Sequence, residues 1–273
     1  MHIATGSQMH NQPGTHQSIA RIPLKERLSK TLTIILTDGP LEKIPAAGDK
    51  SNNKEGKMRG VLILSGGMDS TTLLYKLLDD GYDVEALTFN YAQKHKKEID
   101  CAAAIARRLS IAHKVIDLSS LSSLLGDSAL LGGKEVPSCH YTEESAKKTV
   151  VADRNMIMLS AAAGYAEAHE IPEIFYAAHK NDSTIYPDCR PEFVRALRPA
   201  IRLGTAWHPV ELQAPFVDIT KAEIVRMGID LQVPYEMTWS CYKGEEKPCR
   251  TCPTCVEREE AFASNGVRDP LVA

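Results

Sequence analysis

The chain has 273 residues, of which 43% are hydrophobic and 25% are charged, and both values are ordinary for a soluble globular protein. Its net charge is −3 and it has no polybasic stretch, which argues against direct binding of nucleic acid. No apolar run approaches the ~18 residues that span a bilayer, and no secretory signal is recognisable. We therefore expect a cytoplasmic protein without a membrane partner.

Residues 1–57 differ in character from the rest of the chain. They mix Gly, Pro, Asn, His and Lys with weak periodicity, and residues 31–39 (TLTIILTDG) are compatible with a strand or with an isolated apolar patch. We predict a disordered or non-native extension here. A transit peptide is the alternative, weakly supported by 8 Lys and Arg against 5 Asp and Glu. Residues 58–273 are predicted to form a single domain.

Strand-like and helical segments alternate after residue 58. The apolar run 60–64 is followed by helical spacing over 69–78, and Gly81 is placed to end that helix before a strand over 84–89. A unit of this length is typical of a parallel βαβ crossover. The other predicted helices are 96–109, 154–169, 192–203, 221–227 and 256–263, and the other predicted strands are 113–118, 174–178 and 210–214.

This alternation predicts the α/β class, with a parallel sheet sandwiched between helices on both faces. Ligands of such sheets bind at the carboxyl ends of the strands. We therefore expect the loops after Leu64, Phe89 and Ala178 to form the functional edge.

The sequence SGGMDS at residues 65–70 indicates a phosphate-binding loop between the first strand and the first helix. Gly66 and Gly67 permit a tight turn and close approach of a ligand, and the amides of the helix N-terminus favour phosphate. The loop lacks the lysine of a Walker motif, which argues against a kinase or an ordinary NTPase. Asp69 carries a carboxylate that either caps the helix or helps to hold Mg²⁺.

The loop resembles the pyrophosphate loop (PP-loop) of the ATP pyrophosphatase superfamily, which has the adenine-nucleotide α-hydrolase fold. In that superfamily a nucleophile attacks the α-phosphorus of ATP while the loop holds the leaving pyrophosphate. The resemblance implies that ATP with Mg²⁺ binds along the loop and the helix that follows. The residues implied are Leu64, Ser65, Gly66, Gly67, Met68, Asp69, Ser70, Thr71, Thr72, Leu73 and Leu74.

Four of the seven cysteines crowd into residues 241–255 with the spacing C-x7-C-x2-C-x2-C. Such clustering favours a metal site in a reducing compartment over disulfides. Four thiolates suit a closed, tetrahedral zinc site, and an iron–sulfur cluster is the rival assignment. We predict one structural Zn²⁺ in a C-terminal zinc knuckle, bound by Cys241, Cys249, Cys252 and Cys255.

Further motifs resemble the 7-cyano-7-deazaguanine synthase family, from residue 59 to about residue 270. They are FNYAQKHKKEI (89–99), ADRN (152–155), NDSTIYPDCRPEF (181–193) and TKAEIVRMG (220–228), followed by the cysteine segment. The chain departs from the family at Arg250, where Gly usually follows the second ligand cysteine. It also departs at residues 151–153, because Pro is usual before the Arg154–Asn155 pair.

The resemblance implies that 7-carboxy-7-deazaguanine, ammonium and ATP are converted to 7-cyano-7-deazaguanine, a queuosine and archaeosine precursor. Ammonia displaces AMP from an adenylated acid to give an amide, and adenylation of the amide oxygen then allows the nitrile to form. The resemblance also implies a homodimer. A tRNA-modifying adenylase is disfavoured by 24 Lys and Arg against 30 Asp and Glu after residue 57. A non-catalytic zinc-stabilised binding module is disfavoured by the intact loop.

The residues predicted to be catalytic are Asp69, Ser70, Arg154, Asp188 and Arg190. We expect Asp69 and Ser70 to act on the phosphates, and Arg154 to bind phosphate or the substrate acid unless it serves only to open its helix. Asp188 and Arg190 share a polar loop with Asp182 and Tyr186. We expect a carboxylate of this loop to accept hydrogen bonds from a guanine-like base and its arginine to neutralise the substrate carboxylate. A surface turn is the alternative for that loop.

Three further side chains in these motifs are ambiguous. Cys189 is predicted to be a packing residue, because adenylation needs no nucleophilic thiol. His95 and His179 are candidates to move protons, although a single histidine is more often structural.

Overall fold

The computed structural model describes residues 57–93, 96–125, 128–131, 135–138, 140 and 143–272. The candidate strand at 31–39, the rest of the predicted extension up to residue 56, and His95 lie outside the described residues. All described residues belong to the unit Asp49–Ala273.

The described strands form one parallel sheet with the order β3-β2-β1-β4-β5. The chain runs outward from the central β1 to β3 and then crosses back to β4, so the strand order reverses between β1 and β4. Ligands bind beside such a switch point. The strands are β1 (Arg59–Ile63), β2 (Asp83–Asn90), β3 (Ala112–Asp117), β4 (Glu173–Phe175) and β5 (Glu211–Gln213).

The α-helices of the described chain are α1 (Met68–Asp79), α2 (Lys97–Leu109), α3 (Glu143–Thr149), α4 (Arg154–Ala168), α5 (Lys180–Ser183), α6 (Pro191–Gly204), α7 (Lys221–Asp230) and α8 (Pro253–Ala263). Short 3-10 turns occupy Ser119–Leu124, Ala129–Leu131, Pro187–Cys189 and Tyr235–Met237. The predicted helices and strands are confirmed to within three residues at each end. The sequence did not predict α3 and α5.

The two sheet faces bury different sets of side chains, which confirms the predicted sandwich. Val61 on β1 belongs to an apolar cluster with Leu159 of α4 and Val194 of α6. Its neighbour Leu62 points to the opposite face and packs in a second cluster with Leu73 of α1. The second cluster also takes in residues of α2 and α7. The α/β class is therefore confirmed, with helices on both sides of a parallel sheet.

The helices of this fold are too short or too polar for a bilayer. Among the described residues, none combines the length and the hydropathy that a membrane-crossing helix requires.

Candidate functional site

The SGG turn connects β1 to α1 at the carboxyl edge of the sheet. Gly66 has φ +85°, and a Cβ at this position would overlap the carbonyl oxygen of Glu98 and lie 2.8 Å from the backbone nitrogen of Ala102. Only glycine therefore allows the turn to press against α2. The Trp239 amide donates a hydrogen bond to the Gly66 carbonyl at 3.0 Å, so the turn is also held from the C-terminal segment.

The hydroxyl groups of the turn form one network around the N-terminus of α1. The Oγ atoms of Ser65 and Ser70 lie 2.9 Å apart, and the Ser65 Oγ accepts from the Gly67 amide at 3.2 Å. Thr71 donates its hydroxyl to the Gly67 carbonyl at 2.8 Å. This network fixes two hydroxyls beside the unpaired amides of a helix N-terminus, an arrangement that suits phosphate oxygens.

The Asp69 carboxylate faces the Lys221 ammonium and the His179 ring instead of capping α1. Its Oδ2 lies 3.6 Å from His179 Nε2 and 3.9 Å from Lys221 Nζ, whereas Gly67 occupies the N-cap position. The capping interpretation of Asp69 is therefore wrong. Burial alone would raise the pKa of Asp69, but Lys221 and His179 outweigh it and lower the pKa to about 2. Oδ1 is buried and has no hydrogen-bond partner in the described part of the chain.

Lys221 supplies the cation that the loop sequence lacks. It is the first residue of α7, is only 7% exposed, and its Nζ lies 3.1 Å from Glu257 Oε2. Burial disfavours its charged form, but Asp69 and Glu257 raise the pKa of Lys221 above its ordinary value. Sequence reasoning missed this residue, although the TKAEIVRMG motif contains it. A capping box between Thr220 and Glu223 starts α7 and thereby fixes the position of Lys221.

His179 connects Asp69 to the loop that follows β4. Its Nε2 lies 3.2 Å from Asp182 Oδ2, and its Nδ1 accepts from the Asp182 amide at 3.4 Å. Burial lowers the pKa of His179, but Asp182 and Asp69 outweigh it and raise the pKa above its ordinary value. The buried histidine thus holds two carboxylates in fixed positions.

The turn opens into a cavity of about 230 Å³ at the carboxyl edge of the sheet. Its walls come from the ends of β1, β2 and β4, from the first turns of α2, α4 and α7, and from residues 239–242. The cavity lies at the edge predicted from the loops after Leu64, Phe89 and Ala178, and the function of that edge stays a prediction. The charged residues that line it, among those described, are Asp69, Glu98, Arg154, Asp182 and Lys221.

Arg154 places a partly buried guanidinium in the cavity. Its Nη1 donates to the Tyr91 hydroxyl at 3.1 Å, and the guanidinium lies 5.3 Å from the centre of the Tyr91 ring. Burial disfavours the charged form, but Tyr91, Tyr186 and Tyr242 raise the pKa of Arg154 further above its ordinary value. Among the described residues, no carboxylate forms an ion pair with it, so the charge remains able to bind an anion.

The four clustered cysteines come together as predicted. Their Sγ atoms all lie within 4.8 Å of one another, a spacing compatible with a tetrahedral site whose metal–sulfur bonds are ~2.3 Å. The Cys249 amide donates to Cys241 Sγ at 3.3 Å, and the Cys252 amide donates to Cys249 Sγ at 3.3 Å. Hydrogen bonds among these thiols lower the pKa of Cys252 and raise the pKa values of Cys241 and Cys255, so the thiols share their protons. The proximity of four thiols therefore suits a thiolate-bound metal.

The cysteine segment and the SGG turn are tied together through Trp239. Besides its backbone bond to Gly66, Trp239 donates its indole N–H to the Cys241 carbonyl at 3.0 Å. Lys97 at the start of α2 lies 4.3 Å from the Trp239 ring centre and donates to the Glu246 carbonyl at 2.7 Å. The cysteine cluster therefore holds one wall of the cavity.

The chain matches a known protein family and curated relatives. The family model described as "Queuosine biosynthesis protein QueC" matches residues 59–266. The chain belongs to the QueC family. Two curated relatives bear the name 7-cyano-7-deazaguanine synthase. The relative from Archaeoglobus fulgidus is 55% identical over 79% of this chain and 90% of its own length, and the one from Methanoregula boonei is 53% identical over 78% and 98%.

Two solved structures align with the chain at much lower sequence identity. The U34-tRNA thiolase NcsA from Methanococcus maripaludis, solved with its [4Fe-4S] cluster, aligns with a TM-score of 0.43 and 15% identity over 78% of this chain and 67% of its own. The NMN synthetase from Francisella tularensis aligns with a TM-score of 0.43 and 13% identity over 77% of each chain.

Arg250 and, within the departure at residues 151–153, Asp153 adopt left-handed backbone. Arg250 has φ +59° and Asp153 has φ +48°. Glycine is the residue that tolerates this conformation best, which explains the usual glycine at position 250. The Arg250 side chain forms a two-pronged contact with Glu259, at 2.8 and 3.0 Å. An exposed ion pair thus accompanies the strained backbone in this chain.

The predicted substrate loop divides into residues that line the cavity and residues that support it. Asp182 and Tyr186 line the cavity. Asp188 instead accepts a hydrogen bond from the Asn155 amide at 3.1 Å and so caps α4, and Arg190 donates to the Ser183 carbonyl at 3.0 Å. Asp188 and Arg190 are not among the described lining residues, so their predicted catalytic roles remain predictions.

The residues implied to bind ATP also divide into two sets, those that line the cavity and those that are buried in the core. The cavity is lined by Leu64, Ser65, Gly67, Asp69 and Ser70. By contrast, the α1 side chains that point into the protein core are Met68, Thr71, Thr72, Leu73 and Leu74. Cys189 is buried against the core, where Asn155 donates to its sulfur at 3.2 Å, and this agrees with the packing role predicted for it.

Proposed function

We propose that the chain is an ATP-dependent 7-cyano-7-deazaguanine synthase that converts 7-carboxy-7-deazaguanine and ammonium to the nitrile. The observation that carries the proposal is that one cavity contains a pyrophosphate-type turn with a buried lysine and a partly buried guanidinium that has no described carboxylate partner. The first set suits a leaving pyrophosphate, and the second suits the carboxylate of the acid. The high identity to relatives of that name supports the same reaction.

The ATP phosphates bind the SGG turn in this proposal. The α1 amides and the hydroxyls of Ser65 and Ser70 bind the β- and γ-phosphates, while Lys221 stabilises negative charge near the α-phosphorus. Because the turn holds a leaving group instead of transferring a γ-phosphoryl group, a Walker lysine is not needed.

Asp69 fits a magnesium ligand. Its Oδ1 is a buried, hydrogen-bond-free carboxylate oxygen, the type of atom that Mg²⁺ prefers. When bound, Mg²⁺ neutralises charge on the phosphates. The low pKa of Asp69 keeps this carboxylate ionised throughout the physiological range.

The substrate acid binds in the part of the cavity that holds Arg154 and Asp182. Arg154 neutralises the substrate carboxylate, and Asp182 accepts hydrogen bonds from the amino and ring N–H groups of the guanine-like base. We favour Asp182 over Asp188 for this role because Asp182 lines the cavity, whereas Asp188 caps α4.

The chemistry requires activation because a carboxylate repels nucleophiles and oxide is a poor leaving group. Attack of the acid on the α-phosphorus gives an acyl adenylate and pyrophosphate, and ammonia then displaces AMP to form the amide. A second adenylation, on the amide oxygen, allows loss of AMP to give the nitrile. The protein contributes mainly placement and charge stabilisation.

The accessory features of the proposal are a zinc ion and a homodimer. Zn²⁺ at the four-cysteine cluster is structural, because four protein ligands leave no open coordination position. A homodimeric, cytoplasmic enzyme remains our expectation from the family resemblance.

The proposal is tested by incubating the protein with ATP, Mg²⁺, ammonium and 7-carboxy-7-deazaguanine, followed by product analysis. We expect AMP, pyrophosphate and the nitrile, with the amide as an intermediate. Release of ADP and phosphate, or the absence of nitrile from a folded and metal-loaded protein, would contradict it.

A further inference from the structure

Ammonium must lose a proton before its nitrogen can attack an acyl adenylate, and the cavity contains three described carboxylates that could accept it. Asp69 is paired with Lys221 and His179, and Asp182 is paired with His179. Glu98 differs from both, because no hydrogen bond or ion pair to another described residue occupies its carboxylate. We propose that Glu98 binds the ammonium substrate and acts as the base that deprotonates it, an inference that rests on the proposed synthase function.

Glu98 is held in a fixed position relative to the phosphate turn. It lies in the first turn of α2, and its own carbonyl oxygen sits where a Cβ of Gly66 would be. The backbone amide of Trp239 donates to the Gly66 carbonyl, and the Lys97 ammonium lies over the Trp239 ring. The carboxylate is therefore attached to the backbone that positions the reacting phosphate, which is the placement that a base for the next step requires.

The surroundings of Glu98 suit a carboxylate that gains and loses a proton. The titratable groups that face it are Arg154 of α4, Tyr91 after β2, and Cys101 of its own helix. Burial raises the pKa of Glu98 to about 7, and Arg154 acts in the opposite direction. A base with a pKa near the working pH is the most effective proton acceptor. Because Asp69 and Asp182 are already paired, Glu98 is the described cavity carboxylate that remains able to attract a cation.

Ammonium transfers one proton to the Glu98 carboxylate, and the nitrogen lone pair forms the C–N bond to the acyl carbon. The C–O bond to AMP breaks, and its electron pair leaves on the phosphate oxygen. The second proton lost from nitrogen is taken up by the departing AMP. Glu98 then returns its proton to solvent and is ready for the next nitrogen deprotonation, in nitrile formation.

The test compares Glu98→Gln with Asp100→Asn, which removes the same charge from an exposed position in the same turn of α2. Adenylation is measured alone, without ammonium, as exchange of labelled pyrophosphate into ATP that depends on the acid. We expect both variants to keep exchange within about 3-fold of wild type, because this step does not use Glu98. Wild type that shows no acid-dependent exchange would refute the synthase function itself and not only the role of Glu98.

Amide and nitrile formation are then measured against total ammonium between about pH 6 and about pH 9. We expect Glu98→Gln to lower kcat/KM for ammonium by ~100-fold near pH 7 and to approach wild type at the alkaline end, where free ammonia is supplied by the solution. Asp100→Asn is expected to follow wild type throughout. An ammonium dependence and pH profile of Glu98→Gln equal to those of wild type would overturn the proposal, as would an equal loss of pyrophosphate exchange.

Discussion

Lys221 is the residue on which the electrostatics of the phosphate end depends. It is buried between Asp69 and Glu257, at 3.9 and 3.1 Å, and it compensates two carboxylates at once. Without this cation the two partly buried carboxylates would repel each other and the incoming phosphates. The lysine therefore serves both folding and the proposed chemistry.

Replacement of Lys221 by Met is expected to lower kcat/KM for ATP by ~100-fold or more, because charge stabilisation at phosphorus is lost. It should also cost about 3 kcal/mol of unfolding free energy, since a buried ion pair loses its cation. Steady-state kinetics and urea denaturation measure the two effects. Lys76→Met, which breaks the half-exposed pair with Asp80, is the control and should cost less than about 1 kcal/mol. ATP kinetics unchanged by Lys221→Met would contradict the assigned role.

The Glu98 carboxyl is expected to make stability depend on pH. Its pKa rises from 4.5 to about 7 on folding, so the folded state binds the proton more tightly than the unfolded chain does. This contribution to stability is fully present below about pH 4.5 and is lost as the pH rises to about 7. Glu98→Gln should therefore gain about 1–2 kcal/mol relative to wild type at pH 8 but not at pH 4. Urea titrations at both pH values measure this, and an equal difference at the two would refute it.

At the scale of elements, the junction of β1, α1 and α2 depends on one glycine. Gly66 and Gly81 share φ +85°, but only Gly66 has backbone atoms where a Cβ would lie. Gly81→Ala is thus expected to cost about 1 kcal/mol from backbone strain alone. Gly66→Ala should cost at least about 3 kcal/mol, because α2 must also move away. Thermal and urea unfolding compare the two, and equal costs would show that the contact with α2 is unimportant.

The cysteine segment is the second element on which the cavity depends. If a structural zinc holds this segment, its removal should release Trp239 and with it the Gly66 turn. We expect one zinc per chain by elemental analysis, and after chelation a lower Tm together with an ATP Kd raised ~10-fold or more. Cys189→Ala, which removes a buried cysteine outside the cluster, should retain the metal. Iron in place of zinc, or unchanged ATP binding after metal loss, would contradict this account.

Over the whole molecule, local sequence patterns predicted the helices and strands better than they predicted the residues of the site. The periodicity over 69–78 and Gly81 located α1, whose last residue is Asp79 and whose C-terminal turn is closed by Gly81 at φ +85°. Strand β4 ends at Phe175, three residues earlier than predicted, and residues 176–178 line the cavity. The polar helix α3 has no apolar periodicity, so nothing in its sequence indicated it.

Several contacts in the site join segments that lie far apart in the chain, and local sequence does not indicate such contacts. The residue spacing of the SGG turn and of the four cysteines indicates their chemistry, so both were predicted directly. Lys221 reaches Asp69 only because α7 packs beside α1, a contact between positions roughly 150 residues apart. Asp188 shows the reverse: a carboxylate in a promising motif lies outside the described cavity lining because it caps a helix.

The central claim is that this cavity activates a carboxylic acid and then an amide by transfer of AMP to oxygen. The most direct measurement uses 7-carboxy-7-deazaguanine with both carboxylate oxygens labelled with oxygen-18, followed by mass spectrometry of the released nucleotides. The account predicts one label in the AMP from amide formation and one in the AMP from nitrile formation, with unlabelled pyrophosphate. Label in inorganic phosphate alongside ADP, or label found only in water, would contradict it.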